Sequence, residues 1–273
     1  MKTKIIYEDQ HILVCYKPAG LATQTARVGQ QDMVSELKNY LARSAAGKKS
    51  AQPYLGIIHR LDQPVEGLLV FAKDSASAAK LTAQLSQGTL NKQYYAVVCG
   101  KPQVKSAELV DYLAKDEASG SAVVVAQSEG KKAVLQYHVL GQAPVSGQAA
   151  VSGQAAVSGQ AAASGEDGLK QDAGCRASDS PDLSTMRAIT VLDIHIDTGR
   201  FHQIRAQMAH TGLPLLGDSR YGNEISAQIS RDLQVRNVAL CAYKIVLKHP
   251  VTGKQMEFTI KPEGKIFSKF SII

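Results

Sequence analysis

The most informative segment of the chain is Ile57-Ile-His-Arg-Leu-Asp-Gln-Pro-Val-Glu-Gly-Leu-Leu-Val-Phe-Ala72. Its apolar end, residues 68–72, predicts a buried strand, and Pro64 and Gly67 predict a turn before that strand. His59, Arg60 and Asp62 directly precede the strand. A carboxylate on a rigid loop against apolar walls can act as a nucleophile or a base, whereas an ordinary ion pair in a loop is the plain alternative.

Strands and helices mix around this stretch without a strict alternation. Strands are predicted at residues 12–16, 92–98, 133–140, 189–196, 240–247 and 255–260. One helix is predicted at residues 32–46, between Asp32 and Gly47, and a second after Asp74. Their apolar faces are Val34, Leu37 and Leu41 in the first and Ala78, Leu81 and Leu85 in the second. The pattern predicts an α+β fold with a large, mainly antiparallel mixed sheet flanked by helices.

The segment from Gly141 to Met186 differs from the rest of the chain. It repeats a six-residue unit that begins as Val145-Ser-Gly-Gln-Ala-Ala, and small and polar residues dominate it. Such a composition predicts a disordered insert within a single domain spanning residues 1–273, with a hexapeptide β-helix as the structured alternative. The segment holds five acids and two bases, so the remaining chain carries a net charge of +10 rather than +7.

The composition indicates a soluble protein with a polyanionic partner. A net charge of +7 and a pI near 9.1 favour binding to phosphates, although a merely basic surface is the plain alternative. No signal peptide or membrane span is predicted, and the four scattered cysteines indicate neither a zinc site nor disulfides. We therefore expect a cytoplasmic monomer that does not associate with membranes.

Two further clusters carry side chains suited to chemistry. Tyr94 lies in Lys92-Gln-Tyr-Tyr, on a predicted strand, where a tyrosine either packs in the core or offers a face on which a base stacks. The other cluster is Thr198-Gly-Arg-Phe-His-Gln-Ile-Arg-Ala-Gln-Met-Ala-His210, which predicts a short helix. A helix start with such donors and cations predicts an anion pocket, or else a solvated basic surface. Its polar side chains are Arg200, His202, Gln203 and Arg205.

Together the three clusters resemble the RluA-type family of RNA pseudouridine synthases. His-Arg-Leu-Asp followed by Gly67, Lys-x-Tyr at residues 92–94 and Gly-Arg-x-His-Gln-Ile-Arg at residues 199–205 occur in the family's order and approximate spacing. The resemblance extends from Ile6-Tyr-Glu-Asp to Leu216-Gly-Asp-Ser-Arg-Tyr-Gly222. It implies the pseudouridine synthase catalytic fold and the isomerisation of specific uridines in ribosomal or transfer RNA, with no cofactor and no metal.

The resemblance also implies roles for individual residues. Asp62 falls on the catalytic aspartate, and Arg205 on the arginine that pairs with it. Tyr94 falls on the tyrosine that stacks on the target uracil, and Arg60 on the side chain that fills the gap left when the uridine flips out. Three more residues are predicted to bind RNA: Arg200, His202 and Gln203. Whether the aspartate attacks the base, attacks the sugar or removes a sugar proton to open a glycal stays open.

The sequence departs from the family pattern in two ways. Val65-Glu66 stands where many relatives have a small pair such as Thr-Ser, so the Glu66 carboxylate either disturbs the loop or lies in solvent. No small S4-like RNA-binding domain is expected, which slightly favours a short stem-loop substrate. The alternative function is an inactive RNA-binding or ribosome-assembly protein of the same fold. A phosphate-loop enzyme is excluded, because neither GxGxxG nor GxxxxGK[ST] occurs.

Overall fold

The computed structural model describes residues 2–25, 29–44, 53–145 and 188–271. The strands are β1 (Lys4–Glu8), β2 (Ile12–Lys17), β3 (Gly56–Ile57), β4 (Glu66–Ala72), β5 (Asn91–Cys99), β6 (Ser106–Asp116), β7 (Ser121–Val124), β8 (Lys131–Pro144), β9 (Ala188–Ile196), β10 (Leu240–Lys248) and β11 (Gln255–Thr259). The helices are α1 (Met33–Ser44), α2 (Ser75–Ser86), α3 (Gln203–His210) and α4 (Glu224–Asp232), followed by a 3-10 turn at Phe267–Lys269.

All of these strands belong to one mixed sheet. Its order is β1-β2-β4-β10-β5-β9-β8-β6-β7, with β11 paired to β10 and β3 paired to β4. Within the described ranges, β4 and β10 form the parallel pair, with Gly67 opposite Ala242, and the other pairs are antiparallel. The predicted α+β class with a large, mainly antiparallel sheet is confirmed.

Both faces of the sheet are covered in its central part. In β2, Leu13 and Cys15 pack with apolar side chains of α1 and α3, whereas Ile12 and Val14 pack with Leu81 of α2 on the other face. Strands β2 and β4 are buried along their whole length, as a strand covered on both faces must be. The loop that carries Asp62 therefore enters a rigid central strand.

The two predicted capping aspartates cap their helices. Asp32 Oδ1 accepts a hydrogen bond from Ser35 N (2.7 Å), and Asp74 Oδ1 accepts one from Ser77 N (2.7 Å). A carboxylate at this position satisfies a backbone N–H that has no partner within the helix. The described part of α1 ends at Ser44, so the predicted end at Gly47 lies outside the described residues.

Strand β8 is longer than the sequence predicts. It runs to Pro144, four residues past the predicted end, and the register with β9 shifts between Val139 and Gly141. Residues 141–144 are small and polar, yet β9 offers them a continuous ladder that ends where Pro144 lies opposite Ala188. Residues 141–144 of the predicted insert thus lie in β8, whereas its residues 146–186 lie outside the described part of the chain.

No helix in the described ranges is long and apolar enough to cross a membrane.

Candidate active site

The loop that carries Asp62 is fixed to the protein on both sides of this residue. Before it, Leu61 N and the Thr23 hydroxyl are 3.3 Å apart, and the same hydroxyl donates to Leu61 O (2.9 Å). After it, Gln63 O accepts hydrogen bonds from Gly20 N (2.8 Å) and from Lys17 Nζ (3.1 Å). The Asp62 backbone is thus held by the segment that follows β2.

Lys17 is a fully buried lysine beneath this loop. Besides Gln63 O, its ammonium group donates to Leu21 O (2.6 Å) and Pro18 O (3.2 Å). Burial lowers the pKa of Lys17 to about 7, even though the negative charges of Asp62 and Glu66 act in the opposite direction. Sequence reasoning read the Lys17 segment as a turn and missed this role, since nothing in the pattern shows that the side chain points inward.

Arg205, in the first turn of α3, joins two carboxylates. Its Nη1 donates to Asp62 Oδ2 (2.9 Å), while its Nε and Nη2 donate to Asp218 Oδ2 (2.7 Å) and Oδ1 (2.8 Å). The predicted proximity of Asp62 and Arg205 is therefore present. Asp218 is a residue that sequence reasoning missed, although it lies in the quoted Leu216–Gly222 stretch.

Burial and charge act against each other in this cluster. The Asp218 side chain is fully buried, and the Arg205 side chain is 6% exposed. Burial alone would lower the pKa of Arg205, but Asp218 and then Asp62 raise it above its usual range. Burial would likewise raise the pKa of Asp218, but the Arg205 guanidinium holds it below its usual value. The three groups thus form a charged, hydrogen-bonded unit whose exposed end is Asp62, with 27% of its side chain accessible.

His202 lies next to the same carboxylate. It precedes α3 in a left-handed conformation (φ 50°), and its Nε2 is 3.5 Å from Asp62 Oδ2. Its Nδ1 is 2.9 Å from Tyr221 Oη, which also accepts a hydrogen bond from Ala122 N (2.6 Å). Burial lowers the pKa of His202, which favours the neutral ring. When the Tyr221 hydroxyl donates to Nδ1, the proton of the neutral ring is on Nε2, which faces Asp62.

Tyr94 lies on the side of β5 that faces Asp62. It is 5% exposed and borders the same cleft. Burial, together with the negative charge of Asp62, raises the pKa of Tyr94 above its usual value. The phenol therefore keeps its proton at physiological pH. Lys92, two residues earlier on the same strand, also borders the cleft, and burial lowers its pKa.

These groups surround an open cleft of about 770 Å³. One wall is formed by residues 22–25, another by residues 59–63, and a third by residues 199–202. Inside the cleft, Tyr94 provides a flat surface and Ile196 an apolar one. At its edge, Arg60 and Arg200 are exposed. The cleft can thus accept a planar ring next to Asp62 and an anionic chain outside.

The Gln203 amide makes hydrogen bonds within the protein. It is buried, and its Nε2 donates to Val134 O (3.0 Å). Its Oε1 accepts hydrogen bonds from the Thr198 hydroxyl (2.8 Å) and from Arg200 N (2.9 Å). Both ends of the amide therefore hold the loop before α3 in place.

Glu66 does not lie in solvent. The carboxylate is buried at the start of β4, where it accepts hydrogen bonds from the Tyr16 hydroxyl and from the backbone N–H groups of Glu263 and Gly264 (3.0 Å each). It fixes the C-terminal segment and does not border the cleft. The departure from the family pattern is thus compatible with an intact loop.

Known proteins similar to this chain share one family. The sequence model described as RNA pseudouridylate synthase matches residues 11–210. Ribosomal large subunit pseudouridine synthase D of Pseudomonas aeruginosa is 31% identical over 265 residues, which cover 94% of this chain and 68% of that protein. The tRNA pseudouridine synthase C of Yersinia pestis is 27% identical and covers 94% of this chain and 86% of its own length.

The fold is also that of solved members of this class. The structure of human RNA pseudouridylate synthase domain containing 1 superposes with a TM-score of 0.66 at 15% identity, over 95% of this chain and 83% of that one. The chain belongs to the RNA pseudouridine synthase family. Within it the relatives are of the RluA type, and the protein is an isomerase that converts uridine in RNA to pseudouridine.

Proposed function

We propose that Asp62 is the catalytic carboxylate and that the substrate is a uridine in a stem-loop of ribosomal or transfer RNA. The observation that carries the proposal is the position of Asp62 at the exposed end of the Arg205–Asp218 unit, inside the cleft. Arg205 takes Oδ2, and within the described residues Oδ1 has no hydrogen-bond partner. This oxygen is free to react.

The reaction needs four events. The bond between N1 and C1′ breaks, the uracil rotates, a bond forms between C5 and C1′, and the C5 proton leaves. An ionised Asp62 serves each of the three routes, by adding to the base, by adding to the sugar or by taking a sugar proton to open a glycal. In every route Arg205 stabilises the carboxylate when it is charged.

Tyr94 holds the ring during its rotation. Its aromatic face lies in the cleft with the Ile196 side chain, so a detached uracil has a stacking surface and an apolar wall that slow its escape. Because the Tyr94 hydroxyl keeps its proton, it is suited to donate a hydrogen bond to the uracil and not to act as a base.

The exposed cations bind the RNA. Arg60 is at the edge of the cleft beside Asp62, where it can fill the space left by a flipped uridine, and Arg200 lies on the wall formed by residues 199–202. The related proteins named above act on the ribosomal large subunit or on tRNA. A loop of such an RNA offers a uridine whose flipping costs less than in a duplex. We expect the protein to act as a monomer in the cytoplasm.

The test of this proposal is Asp62→Asn, which keeps the size of the side chain and removes its charge. RNA modified by the wild type, with tritium at C5 of uridine, should release no tritium with this variant, while RNA affinity and thermal stability stay at the wild-type level. Asp232→Asn is the matched control, since Asp232 is at the end of α4 and contacts Gln228. Comparable turnover by Asp62→Asn would exclude Asp62 as the catalytic group. A wild-type protein inactive on all cellular RNA would instead support the inactive RNA-binding alternative.

A further inference from the structure

A second pocket adjoins the catalytic cleft on the far side of Phe201. We propose that this pocket is a subsite for a nucleotide next to the target uridine, whose unpaired base stacks on Phe201. The proposal rests on the RNA substrate proposed above. The proposed function accounts for one flipped uridine. The subsite adds Phe201 as a residue that contacts RNA, and it requires a second unpaired base in the substrate.

Phe201 is an aromatic side chain that the fold leaves open. Its ring is stacked on that of His202, with centroids 3.7 Å apart and planes 21° apart, while 46% of the residue remains exposed. His202 thus supports one side of the ring and holds it in a fixed orientation. Aromatic rings presented in this way are the surfaces on which unpaired bases stack in RNA-binding proteins.

The pocket beside this ring is continuous with the catalytic cleft. It has a volume of about 430 Å³, within the usual range of ligand pockets. Residues Gly199, Arg200 and Phe201 line both the pocket and the cleft. Its other walls come from the β6–β7 hairpin and the segment leading into β8. Gly199, Arg200 and Phe201 separate the pocket from the cleft. When the target uridine occupies the cleft, the RNA strand therefore reaches the pocket by crossing them.

The charge of the pocket suits a phosphate backbone. Lys115, Lys131 and Arg200 line it and are exposed, and Glu129 is the acid in its lining. Lys115 also contacts the Glu117 carboxylate (2.7 Å), and Arg200 uses its Nε to donate to Lys132 O (2.9 Å). Among the described residues, the terminal nitrogens of Arg200 and the ammonium of Lys131 have no hydrogen-bond partner, so they can bind a phosphate between the two nucleotides.

The hairpin that walls the pocket is tied to the catalytic network. Arg220 Nη1 donates to Ser119 O and Gly120 O at the hairpin turn (2.7 Å each). Ala122 N donates to Tyr221 Oη, which in turn contacts His202. The pocket is therefore preformed, and a base bound there loses little affinity to reordering of the protein.

Tryptophan fluorescence gives a direct test, because the chain contains no tryptophan. Phe201→Trp introduces one indole at the proposed stacking surface. The probe is a hairpin RNA with a uridine-rich loop, and a fully paired duplex RNA of equal length is the comparison. Val251→Trp is the matched control, since Val251 is 55% exposed in the turn between β10 and β11.

The hairpin RNA should quench the indole of Phe201→Trp, whereas the duplex should not, and the control variant should respond to neither. Replacing loop nucleotides one at a time by abasic residues should abolish quenching at one position beside the flipped uridine. Hairpin binding detected by anisotropy without a change in the Phe201→Trp emission would show that no base stacks there.

Steady-state kinetics distinguish two roles of Phe201, namely stacking on a base and supporting the His202 ring. Phe201→Leu keeps an apolar contact with His202 and removes the aromatic face, so KM should rise about tenfold with kcat retained, as for the loss of one stacked base. Phe201→Trp should restore KM. A fall in kcat at unchanged RNA affinity would mean that Phe201 only supports His202 and would overturn the proposal.

The two proposals fail in different ways. If the wild type forms pseudouridine, while Phe201→Leu has wild-type kinetics and Phe201→Trp is not quenched, the subsite is wrong and the proposed function stands. If the wild type neither binds the hairpin nor modifies any cellular RNA, both are wrong.

Discussion

Asp218 and Arg205 are joined by two parallel hydrogen bonds, Nε to Oδ2 and Nη2 to Oδ1, at 2.7 and 2.8 Å. This geometry fixes the plane of the guanidinium group and aims its remaining nitrogen at Asp62. Asp218 has no exposed side-chain surface and does not border the cleft. It therefore acts on the reaction through Arg205, as a positioning residue.

The first prediction concerns Asp218→Asn. The Asp218 side chain is fully buried, unlike the partly exposed Asp62, so removing its charge leaves Arg205 without its buried partner. We therefore expect a loss of about 3 kcal/mol in the free energy of unfolding. It also frees the guanidinium to rotate, so kcat should fall while KM for RNA changes little. Urea denaturation and steady-state assays well below the melting temperature measure the two effects. Unchanged kcat in a folded Asp218→Asn variant would contradict the positioning role.

The second prediction concerns Lys17 and pH. Burial lowers the pKa of Lys17 to about 7, against 10.5 for a free lysine, so the unfolded chain binds more protons than the folded one between these values. The contribution of Lys17 to the free energy of unfolding should therefore rise with pH from about 7 to about 10 and be lost as pH falls through 7.

The measurement for Lys17 is the difference in unfolding free energy between the wild type and Lys17→Met across this range. Methionine has a similar length and no charge, so contributions from other groups cancel. The difference should move in favour of the wild type as pH rises. A difference that is constant with pH would show that Lys17 stays charged in the folded protein.

The third prediction separates the two roles of Tyr94. Tyr94→Phe keeps the ring and should keep RNA affinity, while kcat falls because a hydrogen bond to the uracil is lost. Tyr94→Leu removes the ring as well and should lose both. Because the pKa of Tyr94 is raised, this residue should not lose its proton at or below about pH 9. The activities of the wild type and Tyr94→Phe should therefore depend on pH in the same way over this range. Wild-type turnover by Tyr94→Phe would limit this residue to stacking.

The fourth prediction concerns Glu66→Gln. The amide keeps the shape of the side chain but weakens its hydrogen bonds to the backbone of Glu263 and Gly264, so we expect a loss of about 1–2 kcal/mol in stability. Since Glu66 does not border the cleft, kcat and KM should be unchanged at temperatures where the variant is folded. A selective fall in kcat would show that Glu66 affects the Asp62 loop after all.

The fifth prediction concerns the repeat-containing segment. Pro144 and Ala188 are paired neighbours at the ends of β8 and β9, so a short Gly-Ser turn can replace residues 146–187. We expect this variant to keep the wild-type melting temperature and activity. A longer deletion that starts at Gln142 removes paired residues of β8 and should be less stable. A loss of RNA modification in the shorter deletion would show that the segment takes part in function.

The sequence predicted the central strands, because continuous apolar runs such as residues 68–72 occur where a strand is covered on both faces. It did not predict β6 and β7, whose residues alternate between exposed and partly buried positions and carry charges. Strand β1 and helix α4 were also missed, and both pack at the edges of the core with few fully buried residues. A local apolar pattern indicates that an element is buried, and few residues of these four elements are buried.

The site was predicted to a similar extent. Asp62, Tyr94 and Arg205 are distant in sequence, and only the resemblance to a known family brought them together. The roles of Asp218 and Lys17 were not predicted, because they depend on the direction of each side chain after distant segments have paired. In the sequence, an acid near glycines or a lysine before proline is not distinctive. For Gln203, the pattern did not show that its amide donates to the backbone of β8, and RNA binding by this residue stays a prediction.

The pairing of Gly67 with Ala242 has a consequence for genetic screens. Gly67 has φ 132°, and a β-carbon there would lie 2.5 Å from Ala242 N and 2.6 Å from Ala242 O. Every replacement would force apart the parallel strands β4 and β10, and β4 begins four residues after Asp62. In a library of all single substitutions scored by activity alone, Gly67 would rank with the catalytic residues. A parallel score for folded protein would separate it from them, because Gly67 variants should fail both scores and Asp62 variants only the first.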